Sequence, residues 1–127
     1  VYSAGSGPRS KEIFVIGADG SGAKQLTRNN SNEFTPSWSP DGQQIVFSSN
    51  ITGDFEIWSM NADGSEARQL TYSPGLDTRP VFSSDGGRIA FTSNRSGDLE
   101  IWMMEADGSN QKEWAKHEAP TCDPFWF

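Results

Sequence analysis

Pro36-Ser37-Trp38-Ser39-Pro40-Asp41-Gly42 returns 44 residues later as Pro80-Val81-Phe82-Ser83-Ser84-Asp85-Gly86, and starts once more as Pro124-Phe125-Trp126-Phe127. The rest of the chain keeps that step. Glu12-Ile13 recurs as Glu56-Ile57 and Glu100-Ile101, and Ala18-Asp19-Gly20-Ser21 recurs at 62 to 65 and 106 to 109. Gln25-Leu26-Thr27 returns as Gln69-Leu70-Thr71, whereas Trp114-Ala115 stands where a third Leu-Thr is due. A fixed period of this length marks a repeat architecture.

One period reads as four short strands, A to D. Thr35 to Ser39 is strand A, and Pro40-Asp41-Gly42 is a turn in which proline presets φ and glycine is free to take positive φ. Strand B is Gln44 to Ser49, strand C Phe55 to Met60 and strand D Ala67 to Thr71, with Asn61 to Ser65 as the second hairpin turn. Ile45-Val46-Phe47 and Ile57-Trp58 place apolar residues side by side, where a half-exposed sheet would alternate. Both faces of each sheet are therefore expected to be covered. Four-stranded units that cover one another face to face form a β-propeller, one unit per blade.

The quoted strings, with Ile45 to Asn50, Glu56-Ile57-Trp58, Met60 to Ser65 and Gln69-Leu70-Thr71, resemble the TolB-type propeller repeat over nearly the whole chain. The resemblance implies an all-β propeller, commonly six-bladed, and a bacterial periplasmic or exported setting. The same repeat type occurs in scaffold proteins and in propeller domains of large peptidases. Blade one departs from it by one extra residue in the loop Ala4 to Lys11.

The blades are expected at 1–27 (strands B to D), 35–71 and 79–115, with a lone strand A at 123–127. Three wedge-shaped blades do not close a ring, whereas six do. The expectation is a homodimer in which Asp123, Pro124, Phe125, Trp126 and Phe127 of each chain complete the blade that contains Val1 and Tyr2 of the other.

Composition narrows the partners. The 127 residues carry 17 Asp plus Glu against 10 Lys plus Arg, a net charge of −7 that repels phosphate. Nucleic acid is not expected as a partner. The apolar run Ile13 to Ile16 is far too short to span a membrane, so a soluble chain without membrane insertion is expected. One cysteine, Cys122, excludes an internal disulfide, and one histidine, His117, excludes a multi-histidine metal centre within the chain.

The periodic aromatics Trp38, Phe82, Trp126 and Phe14, Trp58, Trp102 read as packing between blades. Asp19, Asp63 and Asp107 read as turn carboxylates, and Glu12, Glu56 and Glu100 as hydrogen-bond acceptors at the sheet surface. No nucleophile elbow is present, so catalysis is not expected. Recognition is expected where repeats differ, on the end of the disc that carries the B–C and D–A loops. The candidate contacts there are Asn32, Glu33, Tyr72, Asp77, Arg79, Arg95, His117 and Asp123, facing a protein or small-molecule ligand. No cofactor is expected, and Glu33, Asp77 and Asp123 are read as a solvated rim, with calcium ligation as the alternative. Two other readings stay open: a piece of a larger TolB-like or peptidase-associated propeller that gates substrate, and a metal-dependent lyase or hydrolase at the tunnel mouth.

Overall fold

The structure, a computed structural model, describes residues 1–7 and 10–115. Eleven strands lie among them: Tyr2–Gly7 (β1), Ser10–Val15 (β2), Lys24–Gln25 (β3), Glu33–Trp38 (β4), Gln44–Ser49 (β5), Glu56–Asn61 (β6), Arg68–Gln69 (β7), Asp77–Phe82 (β8), Arg88–Ser93 (β9), Glu100–Glu105 (β10) and Lys112–Ala115 (β11). They form three antiparallel sheets in the orders β1-β2-β3, β4-β5-β6-β7 and β8-β9-β10-β11. The expected twelfth strand at 123–127, with His117 and Cys122, lies outside the described residues.

Turn chemistry fixes the hairpins. Asp41 accepts bonds from Ser39 Oγ at 2.6 Å and from the Gln43 amide at 3.0 Å, while Ser39 Oγ accepts from the Gln44 amide at 3.0 Å. Asp85 repeats this with Ser83 Oγ at 2.6 Å and the Gly87 amide at 2.9 Å. These bonds favour the ionised carboxylate and hold Asp41 and Asp85 below the usual range.

The core lies between sheets, as the apolar doublets require. Ile45, Phe47 and Met60 pack with Ile13 of the first sheet, and Trp58, Val1 and Leu26 lean on that cluster. Val46 and Ile57, pointing the other way from the same strands, pack with Phe82, Ile89, Phe91 and Met104 of the third sheet. Period-two geometry thus sends neighbouring residues into two different cores. Burying a side chain such as Phe91, fully buried here, contributes about 1.5–3 kcal/mol.

The sheets also touch near their outer strands. Gly64, at φ +88°, sits so that an added Cβ would lie 2.9 Å from the Leu26 carbonyl oxygen. Gly108, at φ +93°, repeats the approach to Leu70 at 3.1 Å, and Gln111 Nε2 donates to the same Leu70 carbonyl at 3.0 Å. Only glycine combines that backbone conformation with that proximity.

The innermost strands differ from expectation. β4 begins at Glu33 and not at Thr35, and its ladder with β5 shifts register between Phe34 and Ser37. β8 does the same between Thr78 and Val81. Each shift holds a non-glycine residue at positive φ, Thr35 at 50° and Arg79 at 56°, each followed by a proline. The left-handed backbone breaks the alternation that would let one pattern be read through the strand, and such a residue costs on the order of 1–3 kcal/mol.

Candidate functional site: acid-paired blade junctions and a pocket between the innermost strands

Two features gather at the end that carries the β5–β6 and β7–β8 loops. The first is a buried acid pair at each blade junction. Glu12 on β2 and Glu33 on β4 are each 1% exposed, which corrects both the sheet-surface reading of Glu12 and the solvated-rim reading of Glu33. Thr27 Oγ1 donates to Glu12 Oε2 at 2.6 Å and lies 3.3 Å from Glu33 Oε2, while accepting from the Ile13 amide at 2.9 Å. Asn29 ties both acids, its amide donating to Glu12 Oε1 at 3.0 Å and its Nδ2 to Glu33 Oε1 at 3.2 Å. Ser49 Oγ adds a bond to Glu33 at 2.9 Å. Burial pushes the Glu33 carboxyl up, and the adjoining Glu12 carboxyl pushes it further.

The second junction repeats the plan. Thr71 Oγ1 donates to Glu56 Oε2 at 2.6 Å and accepts from the Ile57 amide at 2.9 Å. Asp77, completely buried and so another correction to the rim reading, accepts from Ser73 Oγ at 2.8 Å and Ser93 Oγ at 2.5 Å. Here a cation joins: Arg95 Nη2 reaches Asp77 Oδ2 at 2.7 Å. Burial pushes the Glu56 carboxyl up to about 7 against the Thr71 bond, helped by repulsion from Asp77.

Glu100 holds the third equivalent place, and it too is buried, not at the sheet surface. Its Oε2 has no partner among the described residues. Ala115 stands where Thr27 and Thr71 donate at the other junctions. Among the described residues no group of three or more Asp, Glu, His or Cys is placed to hold a metal ion. Glu33 and Asp77, the described members of the calcium alternative, each bond within a separate junction.

The second feature is a pocket of about 460 Å³ between the second and third sheets. Phe34, Phe55, Leu76 and Leu99 supply an apolar wall, and Thr35, Ser48, Thr78, Thr92 and Arg79 supply polar groups. Eight of these nine are repeat mates one period apart: 34 with 78, 35 with 79, 48 with 92, 55 with 99. Phe34 and Phe55 meet with ring centroids 5.6 Å apart, and Thr35 Oγ1 lies 3.0 Å from Ser48 Oγ. Lys11 Nζ sits 5.2 Å over the Phe34 ring. The two bulges turn Thr35 and Arg79 out of their ladders, so both are exposed at the pocket.

Of the described contacts expected from sequence, only Arg79 lines this pocket. Asn32 is half-buried, accepting from the Lys11 amide at 3.1 Å and donating its own amide to Asn50 Oδ1 at 2.8 Å. Tyr72 is 77% exposed. Arg95 lies over the Trp102 ring at 4.5 Å and the Phe91 ring at 5.3 Å, and Nη1 donates to Gln111 at 2.8 Å. His117 and Asp123 lie outside the described residues. Sequence reasoning missed Phe34, Phe55, Leu76 and Leu99. Their signal was an apolar residue at the margin of each variable loop.

Residues 3–73 and 35–126 each match the TolB beta propeller domain. The chain belongs to that family. Part of it resembles, in sequence, parts of much longer relatives. It is 45% identical over 48 residues, 38% of this chain and 7% of the relative, to dipeptidyl-peptidase 5 of Porphyromonas gingivalis. It is 41% identical over 44 residues, 35% of this chain and 10% of the relative, to the Tol-Pal system protein TolB of Desulfosudis oleivorans. A solved structure of putative TolB from Agrobacterium tumefaciens superposes with a TM-score of 0.88 at 27% identity, covering 96% of this chain and 44% of that one. This TolB-family chain thus spans less than half of the structure it resembles and a small part of the curated relatives.

Proposed function

We propose that this chain is a non-enzymatic recognition unit of a TolB-type propeller, engaging a protein or small ligand through the pocket between β4 and β8. The observation that carries the reading is the pocket's make-up from repeat mates. Four positions contributed by each of two blades extend naturally to a rim around a closed disc. A pocket of this size, mostly apolar with a few convergent polar groups, suits a ligand. A photo-crosslinker at Thr78 should capture partner material that the same group at Asp63, in the turn at the other end of its blade, does not. Capture from Asp63 alone would refute the assignment.

The same proposal includes ring closure and an exported, periplasmic setting. Among the described residues β1 ends its sheet, whereas in the other sheets β4 and β8 flank the strands equivalent to β1. A strand from 123–127 of a second copy fits that position, giving six blades. Light scattering should then return about twice 13.9 kDa, and removing 123–127 should return the monomer mass. The rival reading, a substrate-gating piece of a peptidase, is favoured by the likeness to dipeptidyl-peptidase 5. It predicts that the pocket is silent unless a catalytic domain is attached.

A further inference from the structure

The first sheet repeats a packing surface that the other two sheets keep covered. Tyr2 on β1 stands opposite Phe14 on β2, as Phe47 stands opposite Trp58 and Phe91 opposite Trp102. Ile16, one period before Met60 and two before Met104, completes the set. In the second sheet Phe47 and Met60 pack against Ile13 of the sheet before, with Trp58 beside them. In the third, Phe91 and Met104 pack against Val46, Ile57 and Leu70, with Trp102 beside them. The same positions of the first sheet have no preceding sheet among the described residues. Tyr2 is 38% exposed and Ile16 43%, and the Tyr2 and Phe14 rings stack on each other with centroids 5.5 Å apart. The outer turn carries the same signature. Gly64 and Gly108 hold positive φ against the carbonyls of Leu26 and Leu70, one sheet back, whereas Gly20 keeps that backbone, at φ +84°, with open space beside it.

What the first sheet lacks, the third sheet holds. Trp114 stands one period after Leu70 and two after Leu26, and it is 44% exposed. Its strand pairs with β10 in the register that β7 keeps with β6, Trp102 opposite Glu113 as Trp58 is opposite Gln69. The Trp114 carbonyl therefore holds the place that Gly64 and Gly108 approach at the other junctions. We propose that the face of Tyr2, Phe14 and Ile16 docks on the third sheet of a second copy, with Gly20 against the Trp114 carbonyl, so that the contact between copies repeats the contact between neighbouring sheets within one. The inference rests on the two-copy ring proposed above and names the surface that joins the copies besides strand 123–127. Each contact sets the first sheet of one copy on the third of the other, and the twofold axis makes two of them. Burial of the aromatic pair and of Ile16 supplies the affinity.

The test uses the whole chain. With photo-crosslinking benzoylphenylalanine in place of Ile16, the dimer should give crosslinks from that position of one copy to β9, β10 or β11 of the other. Tyr2→Glu and Ile16→Glu, both at exposed positions of the single chain, should leave its circular dichroism unchanged. Each should raise the dissociation constant of the dimer at least about tenfold by light scattering, since a charge would enter the buried contact. Were either substitution to unfold the chain, the crosslinks decide alone. A dimer that survives both substitutions but not removal of 123–127 overturns the sheet contact and leaves strand closure standing. Crosslinks that run instead to the first sheet of the second copy do the same. A parent that scatters as 13.9 kDa at every concentration overturns both.

Discussion

The first and second blade junctions place a carboxylate pair at the same repeat positions, Glu12 with Glu33 and Glu56 with Asp77, but settle its repulsion differently. Glu56 and Asp77 have Arg95 against Asp77 at 2.7 Å, whereas Glu12 and Glu33 rely on hydroxyl and amide donors from Thr27, Asn29 and Ser49. One period before Arg95 stands Ile51, 49% exposed. The repeat therefore specifies a carboxylate pair and leaves the manner of neutralisation to a loop residue. Two like charges in a shared buried site cannot both ionise cheaply, so one carboxyl at each junction keeps its proton to higher pH.

Removing Arg95 tests this most severely. Arg95→Ala leaves Asp77 buried without its cation and strips the Trp102 ring of its cover, so chemical denaturation should register a loss of about 3–5 kcal/mol. A loss under 1 kcal/mol would mean that the hydroxyl donors suffice at both junctions.

Next in size is the dependence on pH. Glu56 ionises near 7 in the folded chain against an ordinary value of 4.5, so the fold binds its proton more tightly than the unfolded chain does. That contribution is fully present below about 4.5 and is lost as pH rises through about 7. Glu56→Gln should therefore gain up to about 3 kcal/mol relative to the parent between pH 4 and pH 8, seen as converging or crossing melting curves. Glu33 is raised in the same direction, and Glu33→Gln should flatten the profile too.

A smaller effect should come from giving the first junction the second's solution. Ile51→Arg is expected to stabilise the chain by about 0.5–1 kcal/mol at pH 8 and less at pH 4, where Glu33 holds its proton. Smallest of all, Tyr72→Ala at the 77% exposed loop of the second junction should change stability by less than about 0.5 kcal/mol.

The blade plan was legible because its signals are local. Gln44 to Ser49 was delimited on composition and turn residues alone, and the observed strand has the same ends. Adjacent apolar residues such as Ile45 and Val46 announced two-sided burial, and the two cores confirm it. The acids were misjudged because recurrence tells that a residue matters to every blade but not which way it faces, and carboxylates are seldom fully buried. The useful clue was joint recurrence: Glu56 and Thr71 repeat Glu12 and Thr27, and those residues bond each other. The innermost strands started early because Thr35 and Arg79 adopt a left-handed backbone that no propensity assigns to Thr or Arg. The pocket was missed because variable loop tips drew attention from the walls beneath them, where Phe55 and Leu99 sit.

Gly64 and Gly108 place each blade's outer hairpin against the main chain of the blade before it. Spacing is thereby gauged at the rim as well as in the greasy layers nearer the axis. A single methyl at either point would act as a spacer, tilting one blade away from the next. The angle between neighbouring blades is in this sense written at their outer edges, far from the innermost strands β4 and β8 that it positions.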